Sequence, residues 1–290
     1  MSARILDGNT VAAAVKEGLR SEVEALGDQG ISVGLGTILV GDDASSGRYV
    51  AMKHKDCAEV GIVSYHHQLG AQTSMAELLA VIADLNESSE VDSILLQLPL
   101  PSHLSQLDAL MAISPEKDVD GLHPVNLGRL VMSEPGPLPC TPAGIVELLR
   151  FYEVQVAHRH VVIVGRGLTI GRPLALLLSS KSPNCNATVT IAHTGSADLG
   201  EITRQGDIVI SAVGSANLIT ADMVKPGAVV VGAGTPFVAG KLASDIDASV
   251  SGVASAITPT VGGVGPMTRA MLLVNAVRAA KIRSELVSAG

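Results

Sequence analysis

Aromatic residues are nearly missing from this 290-residue chain, which has no Trp, two Phe and three Tyr. Any core must therefore be aliphatic, and the stacking platforms of RRM or OB-type modules have little to be built from. Charge is also sparse, at 17% Asp, Glu, Lys and Arg, and its balance of −8 opposes the basic face that phosphate backbones require. Both shortages argue against nucleic acid as a partner. Cysteine is limited to Cys57, Cys140 and Cys185, with no Cys-x-x-Cys and no His-x-x-x-His, so neither a disulfide framework nor a zinc site is suggested. The longest uncharged run, Ala248 to Thr268, carries two Pro, four Gly and six Ser or Thr, which is loop chemistry rather than a membrane span. Arg4 and Asp7 stand where a signal peptide needs apolar residues. The expectation is a soluble, cytoplasmic protein with reduced thiols and no membrane partner.

Aliphatic residues and glycine are what the chain has in abundance: hydrophobic residues make up 47% and there are 30 Gly. Val/Ile runs broken by tight turns suit buried parallel strands. Val11, Val15, Leu19, Val23 and Leu26 recur at helical spacing. Strand patterns at 33–40 (ending in Gly41-Asp-Asp43), 64–69 and 93–98 alternate with helical stretches at 44–60 and around Met75 to Leu85, a β-α-β-α-β order that implies a parallel sheet. The Pro-rich stretch from Ser133 to Pro142 marks a domain boundary, with Thr141 read as N-cap and Pro142 as first residue of a new helix. A second alternation follows, with strands at 161–164, 188–192, 207–212 and 228–231, and the chain ends in an amphipathic stretch from Thr268 to about Val287. The fold class is α/β, in two domains.

Gly165-x-Gly167-x-x-x-Gly171 lies between a strand and a helix, where glycines let backbone N–H groups approach a phosphate at a helix N-terminus. It is one residue longer than Gly-x-Gly-x-x-Gly and also fits an ordinary glycine turn. The following strand ends at Ala192-His193-Thr194, without the acid that usually meets the ribose hydroxyl of NAD, while Arg166 sits in the turn. That pairing favours NADP. Gly214 and Gly234 follow later strands, either lining a cofactor or merely ending those strands. Tyr49 and Lys53 are i and i+4 on one helix, a substrate-positioning and acid–base pair if the amine is buried, a snorkelling surface pair if it is not. Gln97 interrupts an apolar strand and needs a partner, backbone or ligand. Asp118 and Asp120 read as turn residues, and no third ligand accompanies them to hold a metal.

Taken together, these segments resemble the bifunctional methylenetetrahydrofolate dehydrogenase/methenyltetrahydrofolate cyclohydrolase family. The resemblance rests on Tyr49-Val-x-x-Lys53-x-Lys55 and Gln97-Leu-Pro-Leu-Pro101, then Lys117-Asp-Val-Asp-Gly121 and Pro139-Cys-Thr-Pro142. It continues through Val164-Gly-Arg-Gly-x-x-x-Gly-x-Pro173, His193-Thr194 and Gly262-Gly-Val-Gly-Pro-Met-Thr268, covering nearly the whole chain in order. It implies two α/β domains flanking a cleft: residues 1–138 as the catalytic, folate-binding domain joined by a returning C-terminal helix at 268–290, and 139–267 as the Rossmann NADP-binding domain. It also implies a homodimer formed through the Rossmann domains. The implied reactions are NADP-dependent oxidation of 5,10-methylenetetrahydrofolate and hydrolysis of the methenyl product to 10-formyltetrahydrofolate. Lys53 becomes the catalytic amine, Gln97 its hydrogen-bonding tuner, and Tyr49 the residue that positions the folate. Asp120 would bind the pterin amino edge, with Gly263 and Pro266 also on the substrate side. Gly165, Arg166 and Gly167 would hold cofactor phosphates, with Thr194, Gly214 and Thr235 completing the cofactor site. Relative to the family's usual pattern, Gly167 replaces Ser, Gly232-Ala-Gly234 replaces Asp-Val-Gly, Ser244-Asp-Ile246 replaces Gly-Asp-Val, and Val261-Gly-Gly263 replaces Pro-Gly-Gly. A folate- or nucleotide-binding protein that has lost one catalytic step, and an amino- or hydroxy-acid dehydrogenase of similar plan, are the other readings.

Overall fold

A computed structural model of the chain describes residues 3–42, 44–238 and 240–289, so Met1, Ser2, Asp43, Ala239 and Gly290 of the segments named above lie outside it. The chain opens with the short strand β1 (Arg4–Ile5) and helix α1 (Gly8–Gly27). An alternation follows: β2 (Gly34–Val40), α2 (Ala44–Val60), β3 (Val63–Leu69), α3 (Met75–Glu87) and β4 (Ser93–Leu96). Helices α4 (Gln106–Ala112), α5 (Pro124–Met132) and α6 (Cys140–Phe151) lead to the second alternation. That comprises β5 (His160–Val164), α7 (Gly171–Ser179), β6 (Thr188–Ala192), α8 (Leu199–Arg204), β7 (Ile208–Ser211) and β8 (Val229–Gly232). The antiparallel pair β9 (Phe237–Val238) and β10 (Lys241–Leu242), then β11 (Ala256–Ile257) and α9 (Val264–Ala289), close the chain.

Packing divides the chain into two units, one of Met1–Ala13 with Thr141–Thr268 and the other of Ala14–Cys140 with Arg269–Gly290. The second unit is built on a parallel sheet of order β3-β2-β4. All seven residues of β2 are buried. An aliphatic cluster including Ile38, Leu78, Ile82, Ile94 and Leu110 fills one face of that sheet. Helix α3 enters through a capping box, Ser74 with Glu77, which satisfies two N-terminal donors reciprocally.

The other unit carries a parallel sheet of order β1-β11-β8-β7-β5-β6. From β5 the chain goes outward to β6, then returns to place β7 on the opposite side. The carboxyl ends of β5 and β7 therefore form a topological switch point, where doubly wound sheets bind ligands. Val162, Val164, Val230 and Ile257 are among the buried residues of its core.

Several expectations shift. By packing, the first 13 residues group with the Rossmann-type sheet rather than with residues 14–138, because β1 pairs with β11, Arg4 opposite Ala256 and Ile5 opposite Ile257. Two-residue strands leave no alternation pattern to read. The packing unit that holds this sheet resumes at Thr141. Helix α6 starts at Cys140, so Thr141 is helical rather than a cap, and its hydroxyl is hydrogen-bonded to Thr268 (2.9 Å). Helix α9 starts at Val264, with Pro266 in its first turn, where a missing N–H costs nothing. Strand β4 stops at Leu96 before the cis Leu98–Pro99 peptide. Among the described residues no helix is long and apolar enough to cross a membrane.

Candidate active site

Helix α2 buries Val50, Lys53, Cys57 and Val60, a stripe at helical spacing in which one position is a lysine. Lys53 is 5% exposed, too little for a snorkelling side chain with its head in water. Its Nζ donates to Gln97 Oε1 at 3.1 Å. Gln97 is oriented for this: Nε2 donates to the Leu98 carbonyl (2.7 Å) and the backbone N–H to the Ile38 carbonyl (2.9 Å), leaving Oε1 toward the amine. Gln97 thus bridges to backbone and presents its carbonyl to Lys53 at once. The Lys53 amine also lies 5.5 Å from the Tyr49 ring centroid, within cation–π range. Lys55 is 78% exposed and 3.9 Å from Glu59, outside this group.

The two acids of the Asp-Val-Asp-Gly turn separate in role. Asp118 accepts from the Gly121 N–H (3.1 Å), the His123 N–H (2.8 Å) and Asn126 Nδ2 (2.9 Å), so its oxygens are committed to shaping the loop. Among the described residues, no group of three His, Cys, Asp or Glu is arranged to hold a metal. Asp120 is electrostatically coupled to Lys53. Burial pushes the Asp120 carboxyl above its ordinary range, with the Lys53 charge opposing. Burial pushes the Lys53 amine below its ordinary value, with Asp120 opposing and Arg269 adding to the depression. Desolvation of both groups thus moves the pair toward its neutral forms.

Three supporting residues were not singled out from sequence. Cys140 donates its backbone N–H to the Asp120 carbonyl (3.3 Å) and its thiol to the Val119 carbonyl (3.3 Å). Asn275 Nδ2 donates to the carbonyls of Val119 (2.8 Å) and Leu138 (2.9 Å), pinning the segment that carries Asp120. Asp56, three residues after Lys53, accepts from Arg269 Nε (2.6 Å) and Lys16 Nζ (3.0 Å). Helical spacing alone places Asp56 beside Lys53, but its partners come from distant segments. Burial raises the Cys57 thiol to about 12 and Cys140 well above its ordinary value, so neither is a ready thiolate.

In the Rossmann-type unit, Gly165 has φ +120°, and a Cβ there would lie 2.5 Å from the Ala212 carbonyl oxygen. A Cβ on Gly171 would lie 2.2 Å from the Gly165 carbonyl oxygen. Only glycine permits this turn, which brings the ends of β5 and β7 together. Gly167 faces open space within 4 Å. Arg166 Nη1 lies 3.2 Å from His193 Nε2, joining the turn to the end of β6, and Thr194 beside them is exposed. Gly214 (φ +68°) and the exposed Thr235 follow β7 and β8. A glycine cradle, a helix N-terminus and an arginine at the ribose side fit a dinucleotide with a 2′-phosphate. Gly263 and Pro266 belong to this unit rather than to the one holding Lys53. Gly263 packs so closely that a Cβ would meet the Pro259 carbonyl oxygen at 2.5 Å.

A doubly wound sheet with a glycine turn at its switch point, joined in one chain to an α/β unit carrying a buried amine, defines a two-domain nucleotide-dependent enzyme. The tetrahydrofolate dehydrogenase/cyclohydrolase family models match two stretches, the catalytic domain at residues 6–120 and the NAD(P)-binding domain at 139–284. The bifunctional protein FolD of Syntrophotalea carbinolica is 51% identical over 284 residues, covering 98% of each chain. The crystal structure of the bifunctional FolD methylenetetrahydrofolate dehydrogenase/cyclohydrolase of Campylobacter jejuni superposes with a TM-score of 0.94 at 44% identity, covering 97% of this chain and 100% of that one. The Trypanosoma brucei enzyme, solved with NADP cofactor and an inhibitor, gives 0.92 at 37% identity over 98% of this chain and 99% of that one. This chain belongs to the tetrahydrofolate dehydrogenase/cyclohydrolase family.

Proposed function

We infer that this chain is a bifunctional one-carbon folate enzyme, in which Lys53 carries the hydrolytic chemistry and the Gly165–Gly171 turn holds NADP. It oxidises 5,10-methylenetetrahydrofolate to the methenyl form and hydrolyses that to 10-formyltetrahydrofolate. The observation that supports Lys53 most directly is a buried, desolvated amine hydrogen-bonded to a fixed amide carbonyl and within the electrostatic influence of the half-buried Asp120. Desolvation shifts this amine toward the neutral form that accepts a proton from water, whereas an ordinary lysine is protonated at neutral pH.

In the hydrolytic step Lys53 takes a proton as the water oxygen bonds the electron-poor methenyl carbon. It returns that proton to the ring nitrogen, whose bond to the carbon then breaks as the added hydroxyl releases its own proton to solvent and becomes the carbonyl, leaving the formyl group on the other nitrogen. Gln97 holds the amine in place through its single accepting oxygen. Tyr49 supplies a flat face for the pterin, and Asp120 accepts from the pterin amino edge. Gly165, Arg166, Gly167 and Thr194 hold the cofactor's phosphates, and Gly214 and Thr235 line its nicotinamide end. Gly263 and Pro266 complete the substrate side. When bound, NADP supplies the hydride acceptor for the oxidation, so the chain's own task there is positioning and exclusion of competing reactions.

The same reading takes residues 14–138 with the C-terminal helix as the folate-binding domain, a homodimer formed through the Rossmann domains, and a cytoplasmic setting without nucleic-acid or membrane partners. A paired assay on purified protein tests it: NADP reduction with methylenetetrahydrofolate, and decay of methenyl absorbance corrected for the uncatalysed rate. Arg166→Ala should lower kcat/KM for NADP by ~10–150-fold, the worth of a charge-assisted contact. It should leave hydrolysis unchanged. Absence of either activity in the unmodified protein, or equal use of NAD and NADP, would overturn the assignment.

A further inference from the structure

Asp245, the central residue of Ser244-Asp-Ile246, is fully buried in the Rossmann-type unit. Its Oδ2 accepts from the Ser211 hydroxyl (2.9 Å), at the last residue of β7, and from the Val213 N–H (3.0 Å), immediately before Gly214. Its backbone N–H reaches the Gly234 carbonyl at 3.3 Å. One residue, through its carboxylate on one side and its backbone N–H on the other, therefore ties the turn after β7 to the turn after β8.

The second oxygen is different. Asp245 Oδ1 has no hydrogen-bond partner, and it is the one such buried side-chain atom among the described residues. Buried carboxylate oxygens are rarely left this way, because the lost hydration is not replaced. Both carboxylate oxygens stand against Gly234, where a Cβ would lie 2.1 Å from Oδ2 and 2.3 Å from the unpaired Oδ1. Glycine is required there by contact with the carboxylate rather than by a left-handed backbone. The Gly234 N–H is weakly engaged, 3.2 Å from the Ser211 carbonyl, which already accepts from the Ala233 N–H at 2.8 Å. The Gly234 N–H thus shares its acceptor with a neighbour, while the unused oxygen stands against the Cα of the same residue, next to Thr235.

We propose that Asp245 is a positioning residue for the nicotinamide end of the cofactor site. Oδ2 fixes the turn that leads into Gly214, and Oδ1 is held in reserve for the Gly234 N–H, which moves onto it when NADP binds and draws Thr235 into place. This rests on the reading that Gly214 and Thr235 line the cofactor. It adds a residue that touches neither cofactor nor substrate and acts through both turns.

Asp245→Asn separates the two oxygens. An amide carbonyl can still accept from Ser211 and Val213, so the free protein keeps its ties and loses a buried charge. The amide NH2 then faces Gly234, setting donor against donor in the bound state. The expected result is NADP binding, followed by titration, weakened at least tenfold, with cyclohydrolase activity and Tm unchanged. Ser211→Ala removes one donor to Oδ2 but leaves Oδ1, and should weaken NADP binding by less than about threefold. Asp245→Asn binding NADP within twofold of the parent overturns the proposal, as does an effect of Ser211→Ala equal to that of Asp245→Asn. Arg166→Ala, measured alongside, shows which layer failed: if it weakens NADP binding while Asp245→Asn does not, only the role of Asp245 is wrong. If neither variant responds, the cofactor reading beneath it is wrong as well. Should Asp245→Asn not fold, amide exchange in the unmodified protein decides. The buried Gly234 N–H should exchange at least tenfold more slowly with NADP present, and unchanged exchange refutes the proposal.

Discussion

Lys53→Met keeps the stem of the side chain and removes only the amine. In the fold that amine is 5% exposed and donates to Gln97 Oε1 at 3.1 Å, so the substitution deletes one hydrogen bond without opening a cavity. The lost hydrogen bond is worth ~1 kcal/mol. Against it stands the cost of holding an amine away from water, which the variant no longer bears. Stability at neutral pH should therefore change little or rise, while hydrolysis collapses. General acid–base catalysis contributes ~10²–10⁴-fold, about 2.7–5.4 kcal/mol of barrier, and that is the expected loss. Arginine at 53 should not rescue, because its guanidinium stays protonated. Burial holds the amine below its ordinary value of 10.5 in the folded protein. The unfolded chain therefore binds that proton more readily. Folding bears the full desolvation cost below the depressed value, and the parent gains stability relative to Lys53→Met as pH rises from there toward 10.5. Hydrolysis by the parent should climb through the depressed value for the same reason, as the neutral amine accumulates. The assays are methenyl decay across pH and thermal unfolding of both proteins, with NADP titration confirming an intact cofactor domain. Hydrolysis within threefold of the parent in Lys53→Met would refute the reasoning, and so would a stability difference independent of pH.

Asp120→Asn removes the charge that holds the Lys53 value up, so the acid limb of the hydrolysis–pH profile should move to lower pH while KM for the folate rises; an unmoved limb would show that the two groups are not coupled. Gly167 faces open space and has no left-handed backbone, so Gly167→Ser should fold normally and, by adding one hydroxyl at the phosphate, tighten NADP binding by ~0.5–1.5 kcal/mol in a titration. Gly232 is tighter: a Cβ there would stand 3.0 Å from both Ile246 Cγ1 and Ser244 Oγ. Gly232→Asp should cost roughly 1–3 kcal/mol by denaturant titration. Adding Ser244→Gly, which vacates part of that space, should recover a portion, and strict additivity of the two would show that the positions do not interact.

Much of this molecule was legible along the chain because its signals are local. Helical spacing put Tyr49 and Lys53 on one face, glycine spacing marked the turn after β5, and the absence of an acid after β6 pointed to NADP. Parallel α/β layering followed from the order of aliphatic runs. Other features depended on segments far apart in sequence meeting in space. Whether Lys53 was solvated or buried could not be read from its helix, since the stripe it shares with Val50, Cys57 and Val60 becomes an interior only when the unit packs. The different fates of Asp118 and Asp120, two residues apart, were set by three donors from Gly121, His123 and Asn126 converging on one of them. Arg4–Ile5 carries no periodicity, and only pairing with Ala256–Ile257 makes it a strand. Asp245 stood in the Ser244-Asp-Ile246 segment, but nothing local gave its side chain a role. Its importance arises because the sheet brings Ser211, Val213 and Gly234 around a carboxylate with one oxygen left over, and such a balance of donors and acceptors exists only in three dimensions.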